Sequence, residues 1–339
     1  MTYDEIMAEI TAKLTGDTQK DFIYLQEQCE KYKDSEYGVE IVRACGRLIS
    51  ELLTEEDKED IKKILNNKDL GIKSTLEEVK YNQYKKDFDK AIALIEPLVK
   101  KVEDYHKSGM FKEDKVSKFF CFEQPMETIL YTYHNKPKKE IRHSDIPFAR
   151  IYLQYGSLLI DKNRIKDAKK ILLKAVEWNP SCASIIFELC ETYKRLGELK
   201  KYFATVIDTF KYCYTPNDLA RCYRNLGWYF IEKRQFKEAI CAYTLSLQYV
   251  NNEIVQSELY YISQITGKKI EQPELEQIKK VAQKYGFPVG ADDDVIGLSF
   301  TLGKKAMESS DFEFVKYYWG ILYNLTEDED INKVLVELK

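Results

Sequence analysis

Apolar residues recur every three or four positions along most of this chain, which is the spacing of one face of an α-helix. Within residues 149–182, a short polar turn at 161–164 separates two such stripes, and Asn179-Pro180 ends the second. Because so short a turn leaves two helices antiparallel and in contact, we predict a helical hairpin here. The stripes are Tyr152, Tyr155, Gly156 and Leu159 in the first helix and Ala168, Leu172 and Ala175 in the second.

The same spacing returns later in the chain. Gly156 aligns with Cys190 after 34 residues and then with Gly227 after a further 37. A glycine inside a helix costs about 1 kcal/mol relative to alanine, so we predict that Gly156 allows a partner helix to approach closely. Two helices of this length cannot bury their apolar faces alone, and neighbouring hairpins must therefore stack.

The repeated unit resembles the tetratricopeptide repeat, whose signature is an aromatic residue, Leu-Gly, Tyr, Ala, a second aromatic, Ala and Pro over 34 residues. Residues 149–182 and 220–253 match at nearly every signature position. The resemblance implies an all-α fold, a right-handed superhelix of antiparallel helix pairs, in which the first helix of each pair lines a concave groove. Less complete matches cover 73–106, 183–219, 254–290 and 296–329.

The rest of the chain completes the predicted organisation. Residues 1–72 are predicted to form an N-terminal helical cap, in which Thr54 and Asp57 begin a short fourth helix. Residues 73–339 form the superhelix, which ends with a capping helix at 331–338.

An irregular helical insertion is predicted at residues 107–148, where Pro125 kinks or restarts a helix. The insertion carries too much apolar surface to face water. Two arrangements would cover that surface. The insertion either packs as an atypical repeat between its neighbours, or residues 118–134 fold back into the groove.

Composition and charge argue against several classes of function. Charged residues make up 32% of the chain and the net charge is −4, which favours neither a nucleic acid nor an anionic membrane as partner. Residues 1–70 carry 17 acidic and 10 basic side chains, a balance that disfavours a DNA-binding helix-turn-helix. No apolar run approaches the ~18 residues that span a bilayer, and the first 15 residues lack the apolar core of a signal peptide. We therefore predict a cytoplasmic protein whose eight cysteines are reduced and mostly buried.

The sequence lacks the motifs of common catalytic, cofactor and metal sites. HExxH, GxSxG, phosphate-binding and dinucleotide-binding patterns are missing, and we predict neither an enzyme nor a bound cofactor. Asp292–Asp294 lacks the alternating-oxygen spacing of a calcium loop and is predicted to cap the following helix, not to hold a metal. His106, His134 and His143 are predicted to be packing or surface residues.

Helical phase places one set of side chains on the exposed face of three successive first helices, where they would line the groove. Trp228 next to Arg221 and Arg224 has the composition of a binding hot spot, suited to an acidic, aromatic-containing peptide or a carboxylate terminus. Alternatively, both arginines pair with acids such as Glu191 and Trp228 packs between helices. The candidate residues are Arg150, Phe187, Glu191, Lys194, Arg221, Arg224 and Trp228.

These patterns predict a non-enzymatic scaffold that binds a protein or peptide, with pre-ordered helices that reduce the entropy lost on association. A second hypothesis is a peptide-responsive regulator whose groove is occupied by residues 107–144 until a partner displaces them. A third hypothesis, an unrecognised enzyme, requires a pocket with convergent polar groups.

Overall fold

The computed structural model describes residues 2–52, 71–107, 109 and 111–338. In these ranges the regular structure consists of seventeen α-helices, one 3₁₀ turn and two short β-strands, so the fold is all-α in class, as predicted. Not one of the described helices is both long and apolar enough to cross a membrane. The predicted helix start at Thr54 and Asp57 lies outside the described residues.

Three helices form the beginning of the chain: α1 (Tyr3–Thr11), α2 (Thr18–Tyr32) and α3 (Gly38–Leu52). A capping box of Thr2 and Glu5 begins α1. The three helices enclose a small core of their own, made of Ile6, Ile10, Leu25, Ile41 and Cys45. The next two helices, α4 (Ile72–Tyr84) and α5 (Phe88–Lys107), form a pair and belong to a second, larger core that continues to residue 325.

The segment after α5 differs from the predicted helical insertion. It folds as β1 (Ser117–Phe120), α6 (Pro125–Asn135) and β2 (Glu140–His143), and the two strands are parallel. Parallel strands require a crossover connection, which α6 supplies. Pro125 lies in the first turn of α6, where its missing N–H is not needed, so it begins the helix.

One end of this β–α–β unit is attached to the turn that follows α8 (Ile165–Trp178). The N–H of Cys121 donates to the carbonyl of Trp178 at 2.8 Å. The buried amide of Asn179 donates to the Cys121 carbonyl at 3.1 Å and to the Glu127 carboxylate at 2.9 Å. The Ser181 hydroxyl donates to the Glu127 carbonyl at 2.8 Å.

Other contacts of α6 reach elements later in the chain. The side-chain amide of Asn135 donates to the Tyr212 hydroxyl at 3.1 Å, in a turn between two helix pairs, and the N–H of Met126 donates to the Tyr317 hydroxyl at 3.2 Å. The segment therefore contacts the turns after α8 and α10 and the helix α16. The hypothesis that residues 118–134 occupy the groove stays a prediction, since Glu123 of this segment also lines a cavity with Arg150.

The remaining helices follow in antiparallel order. Three close pairs are α7 (Phe148–Asp161) with α8, α9 (Ala183–Arg195) with α10 (Leu199–Thr209), and α11 (Pro216–Glu232) with α12 (Phe236–Tyr249). Next, α13 (Glu253–Thr266) and α14 (Leu275–Tyr285) both pack against α12. The chain ends with α15 (Asp293–Glu308), α16 (Phe312–Thr326) and α17 (Glu329–Glu337).

Close approach within a pair depends on glycine at three positions, Gly156, Gly227 and, against the Trp319 ring, Gly303. A Cβ added to Gly156 would lie 2.5 Å from Cγ of Leu172, and one added to Gly227 would lie 2.5 Å from the Tyr243 ring. The predicted close contact at Gly156 is therefore confirmed, with Leu172 as the side chain that fills the space. Ala168, Leu172 and Ala175 are fully buried.

Candidate functional site

The first helices α7, α9 and α11 present the predicted site residues. Arg221 of α11 reaches the neighbouring helix α9, where it pairs with Glu188 at 2.8 Å and lies over the ring of Phe187 at 4.9 Å from its centroid. Phe187, which helical phase predicts to be exposed, is only 2% exposed. The prediction was wrong because the guanidinium of the next repeat covers this ring.

A second contact between the same two helices is formed around Trp228. The ammonium of Lys194 lies 4.6 Å from the centre of the Trp228 ring, and Tyr202 of α10 meets that ring edge-on at 5.0 Å. Trp228 remains half-buried. Glu191 is engaged within α9, by Arg195 at 2.9 Å and Lys194 at 3.8 Å.

Arg224 is the cation of this group that lacks a counter-charge. It is half-buried, and within the described ranges its guanidinium forms neither an ion pair nor a hydrogen bond. Burial, and after it the positive charge of Arg221, lower the pKa of Arg224. The alternative in which both arginines pair with neighbouring acids such as Glu191 therefore holds for Arg221, whose partner is Glu188, and is wrong for Arg224. A partly desolvated guanidinium without a carboxylate is suited to an anionic ligand.

Arg150 lies apart from the other candidates, close to α4. It lines two adjoining cavities of about 320 and 220 Å³ together with Lys80. Both cavities also contain acidic side chains, Glu77 and Asp145 in the larger and Glu123 in the smaller. Because both signs of charge are present, this end of the groove does not select for an acidic ligand by charge alone.

Helix α13 extends the site beyond the predicted residues. Glu258 lies 34 residues after Arg224. Burial raises the pKa of Glu258, and the nearby positive charge of Lys194 opposes that rise. The sequence signal for Glu258 is its position, one repeat length after Arg224. Residues at helical spacing from Glu258 form an exposed apolar face: Ile254, Tyr261 and Ile265.

The cysteines do not supply a reactive thiol to this site. All eight lie in the described part of the chain, six of them buried, as predicted. Burial raises the pKa of Cys121 and Cys241 to about 11 and that of Cys45 and Cys182 to about 12. Since the thiolate is the nucleophile, these groups remain unreactive at neutral pH.

One cluster of metal-ligating residue types lies outside the groove. Ligand atoms of His134, Asp292 and Asp294 all lie within 4.8 Å of one another. Asp292 is the predicted N-cap of α15, where it accepts the N–H of Asp294 at 3.0 Å, and Tyr133 donates its hydroxyl to Asp294 at 3.0 Å. His134 packs edge-on against Tyr212. The capping role of Asp292 and the packing role of His134 are confirmed.

Comparison with known proteins supports the repeat. Residues 149–182, which comprise α7, α8 and the turn after them, match the family model of the tetratricopeptide repeat. No curated protein matches the chain.

Proposed function

We propose that this tetratricopeptide-repeat protein is a non-enzymatic scaffold that binds an acidic segment of a partner protein in its groove. Tetratricopeptide repeats generally bind proteins or peptides, and the matched repeat at 149–182 brings that general role to this chain. The single observation that carries the acidic specificity is Arg224, a half-buried cation without a carboxylate partner in the described ranges.

The surroundings of Arg224 favour a carboxylate followed by an apolar side chain. A carboxylate can bond the planar guanidinium through two parallel hydrogen bonds, which are stronger away from bulk water. Arg221 is already paired with Glu188, so Arg224 is the anchor. Trp228, one turn further along α11, offers the contact area that binding hot spots use, which favours an aromatic or aliphatic ligand side chain.

A selection from a phage-displayed library of random dodecapeptides tests this proposal. We expect the selected peptides to be enriched in Asp or Glu, with an aromatic or aliphatic residue nearby. Arg224→Glu should weaken a selected peptide about 10- to 100-fold by isothermal titration calorimetry, since a hydrogen bond to a charged group contributes about 1.5–3 kcal/mol. Lys237→Glu, a similar charge change on an exposed residue of the second helix α12, is the matched control and should change the affinity less than about 2-fold.

Trp228→Ala tests the apolar half of the site and should cost the same peptide about 10-fold or more. Because Trp228 also packs on Tyr202, its thermal unfolding is measured alongside. Equal affinity in wild type and Arg224→Glu would contradict the proposal, and so would a selection that enriches basic peptides.

A further inference from the structure

We propose that the outer edge of β2 is a second docking surface, at which an extended acidic peptide adds a third strand beside Ile141–His143. The surface lies outside the groove, and the inference does not depend on the function proposed for the groove. It rests on two observations, the unequal edges of the two-stranded sheet and the charge around it.

The β1 edge of the sheet is closed. Ser117 donates its N–H to the carboxylate of Asp114 at 2.5 Å and accepts the Asp114 N–H at 3.1 Å. Beyond the strand, Cys121 donates its N–H to the Trp178 carbonyl at 2.8 Å. The outward main-chain groups at both ends of β1 therefore have partners, which disfavours the addition of a further strand on this side.

The β2 edge is open. Glu140 and Ser144 donate their N–H groups to β1 at 2.8 and 2.9 Å, which fixes the side of β2 that faces its partner. Main-chain groups alternate along a strand, so the N–H and C=O of Ile141 and His143 point away from β1. In the described ranges no hydrogen bond from another element reaches these groups. Such a row of free main-chain groups is a template for strand addition.

A third strand would also improve the sheet itself. Two strands alone are marginally stable in water, and parallel sheets are normally larger and covered on both faces. On the face of the sheet that carries Lys118, the Ile141 side chain of β2 is half-buried and the His143 side chain is exposed. A strand added about 4.8 Å away would cover both residues.

The charge around the edge selects the partner. Lys118, Lys136 and Lys138 lie in or just before the strands, and none of them forms an ion pair with a carboxylate in the described part of the chain. Three nearby acids are already engaged: Glu113 by Lys139, Asp114 by Arg43, and Glu140 by Arg47 and Arg142. Two others, Asp145 and Glu123, line the cavities beside Arg150.

This uncompensated positive charge favours an acidic strand over a second copy of this chain. A second copy that paired through its own β2 would bring the same three lysines to the contact, and like charges on adjacent strands repel. An acidic peptide brings the opposite charge instead. Its main chain would supply the hydrogen bonds, and its carboxylates would select the site.

The test uses the full-length protein and labelled octapeptides, with fluorescence anisotropy as the readout. The probe alternates Glu and Val. One comparison peptide alternates Lys and Val, and another carries N-methyl groups on alternate residues of the probe, which removes the N–H donors of one edge. We expect the probe to bind, the Lys peptide to bind at least 10-fold more weakly, and N-methylation on the edge that pairs to abolish binding. Both N-methylation registers are synthesised, since only one of them blocks that edge.

Ile141→Pro removes one outward N–H without removing a hydrogen bond to β1, and proline is tolerated on a strand edge. Because the alternating Glu-Val probe also has the composition proposed for the groove ligand, every titration is made in the Arg224→Glu background, in which groove binding is weakened. In that background we expect Ile141→Pro to weaken the probe at least 10-fold and Ile141→Val to leave its affinity unchanged. Binding that Ile141→Pro removes belongs to the β2 edge, whereas binding that Arg224→Glu alone removes belongs to the groove.

Three results would overturn the proposal: no binding of the probe at millimolar concentration, equal binding of both N-methylated peptides and the probe, or equal binding of the Lys peptide. Circular dichroism checks that Ile141→Pro folds. If it does not, the N-methylated peptides on Arg224→Glu protein decide the question.

Discussion

The helix pairs α7–α12 and the β1–α6–β2 unit are neighbours in the chain, yet different contacts hold them in place. Inside the pairs the decisive contacts are apolar and close, with Leu172 over Gly156 and Tyr243 over Gly227. The β–α–β unit is attached to them through buried polar groups, of which Glu127 and Asn179, 52 residues apart, are the centre.

The difference teaches how each region is specified. A helix pair is specified by the spacing of apolar and small residues, which recurs from one repeat to the next, so many residues contribute to specifying it. The attachment of the β–α–β unit depends on a few polar side chains whose burial is tolerated only because each has a partner. We therefore expect the pairs to fail when they are overfilled, and the attachment to fail when one hydrogen-bonding group is removed.

The largest effect is expected from overfilling a helix pair. Gly227→Val places a Cβ about where Tyr243 already lies, and that tyrosine is almost fully buried and cannot move aside. We expect a loss of about 3 kcal/mol in the free energy of unfolding, the upper end for overpacked cores. Chemical denaturation monitored by circular dichroism measures it.

Gly320→Ala is the matched control for this change. Gly320 lies in α16, and a Cβ added there would meet no atom within 4 Å. The change in stability then depends on helix propensity alone. We expect the free energy of unfolding to stay the same or to rise by up to about 1 kcal/mol. A similar loss for both variants would show that close packing at Gly227 is not what holds the pair.

A smaller effect is expected from removing the polar attachment. Asn179→Ala takes the donor away from the buried Cys121 carbonyl and from the Glu127 carboxylate. An unsatisfied buried group costs about 1–3 kcal/mol, and we expect a loss of about 2. Hydrogen exchange should rise in β1 and α6 while α11 and α12 stay protected.

The control for the attachment is Asn217→Ala, because Asn217 is exposed in the first turn of α11. We expect it to change stability by less than about 0.5 kcal/mol. Faster exchange throughout α7–α12 in Asn179→Ala would contradict a local attachment, since it would mean that both regions unfold together.

The same contrast explains what the sequence can predict. Tyr152, Gly156, Ala168 and Leu172 predict the paired helices because their spacing is itself the packing pattern. Residues 119–122 do not reveal a strand, since a short apolar run fits a buried helix equally well. Likewise, Asn179-Pro180 predicts the end of α8 from local rules, whereas the hydrogen bonds of Asn179 join positions more than 50 residues apart.

The sequence predicts the candidate site to a similar extent, since it identifies the helix face but not the contacts between helices. Helical phase identifies the helix face that carries Arg224 and Trp228, because phase depends only on spacing. It cannot choose Glu188 over Glu191 as the partner of Arg221, since these acids lie one turn apart and the choice depends on how α11 sits against α9. The burial of Phe187 has the same origin.

The smallest expected effect concerns the pKa of Asp218, a residue of α11 whose carboxyl group interacts electrostatically with Glu127 of the β–α–β unit. Burial raises its pKa, the Thr215 hydrogen bond and Arg221 oppose that shift, and the charge of Glu127 adds to it. A carboxyl whose pKa folding raises contributes stability below its unfolded pKa of about 3.9, and that stability is lost as the pH rises through the folded pKa. Carboxyl ¹³C NMR should therefore show Asp218 titrating above its ordinary range, and Glu127→Gln should lower its pKa. An unchanged Asp218 titration in Glu127→Gln would mean that the two regions do not interact electrostatically at this junction.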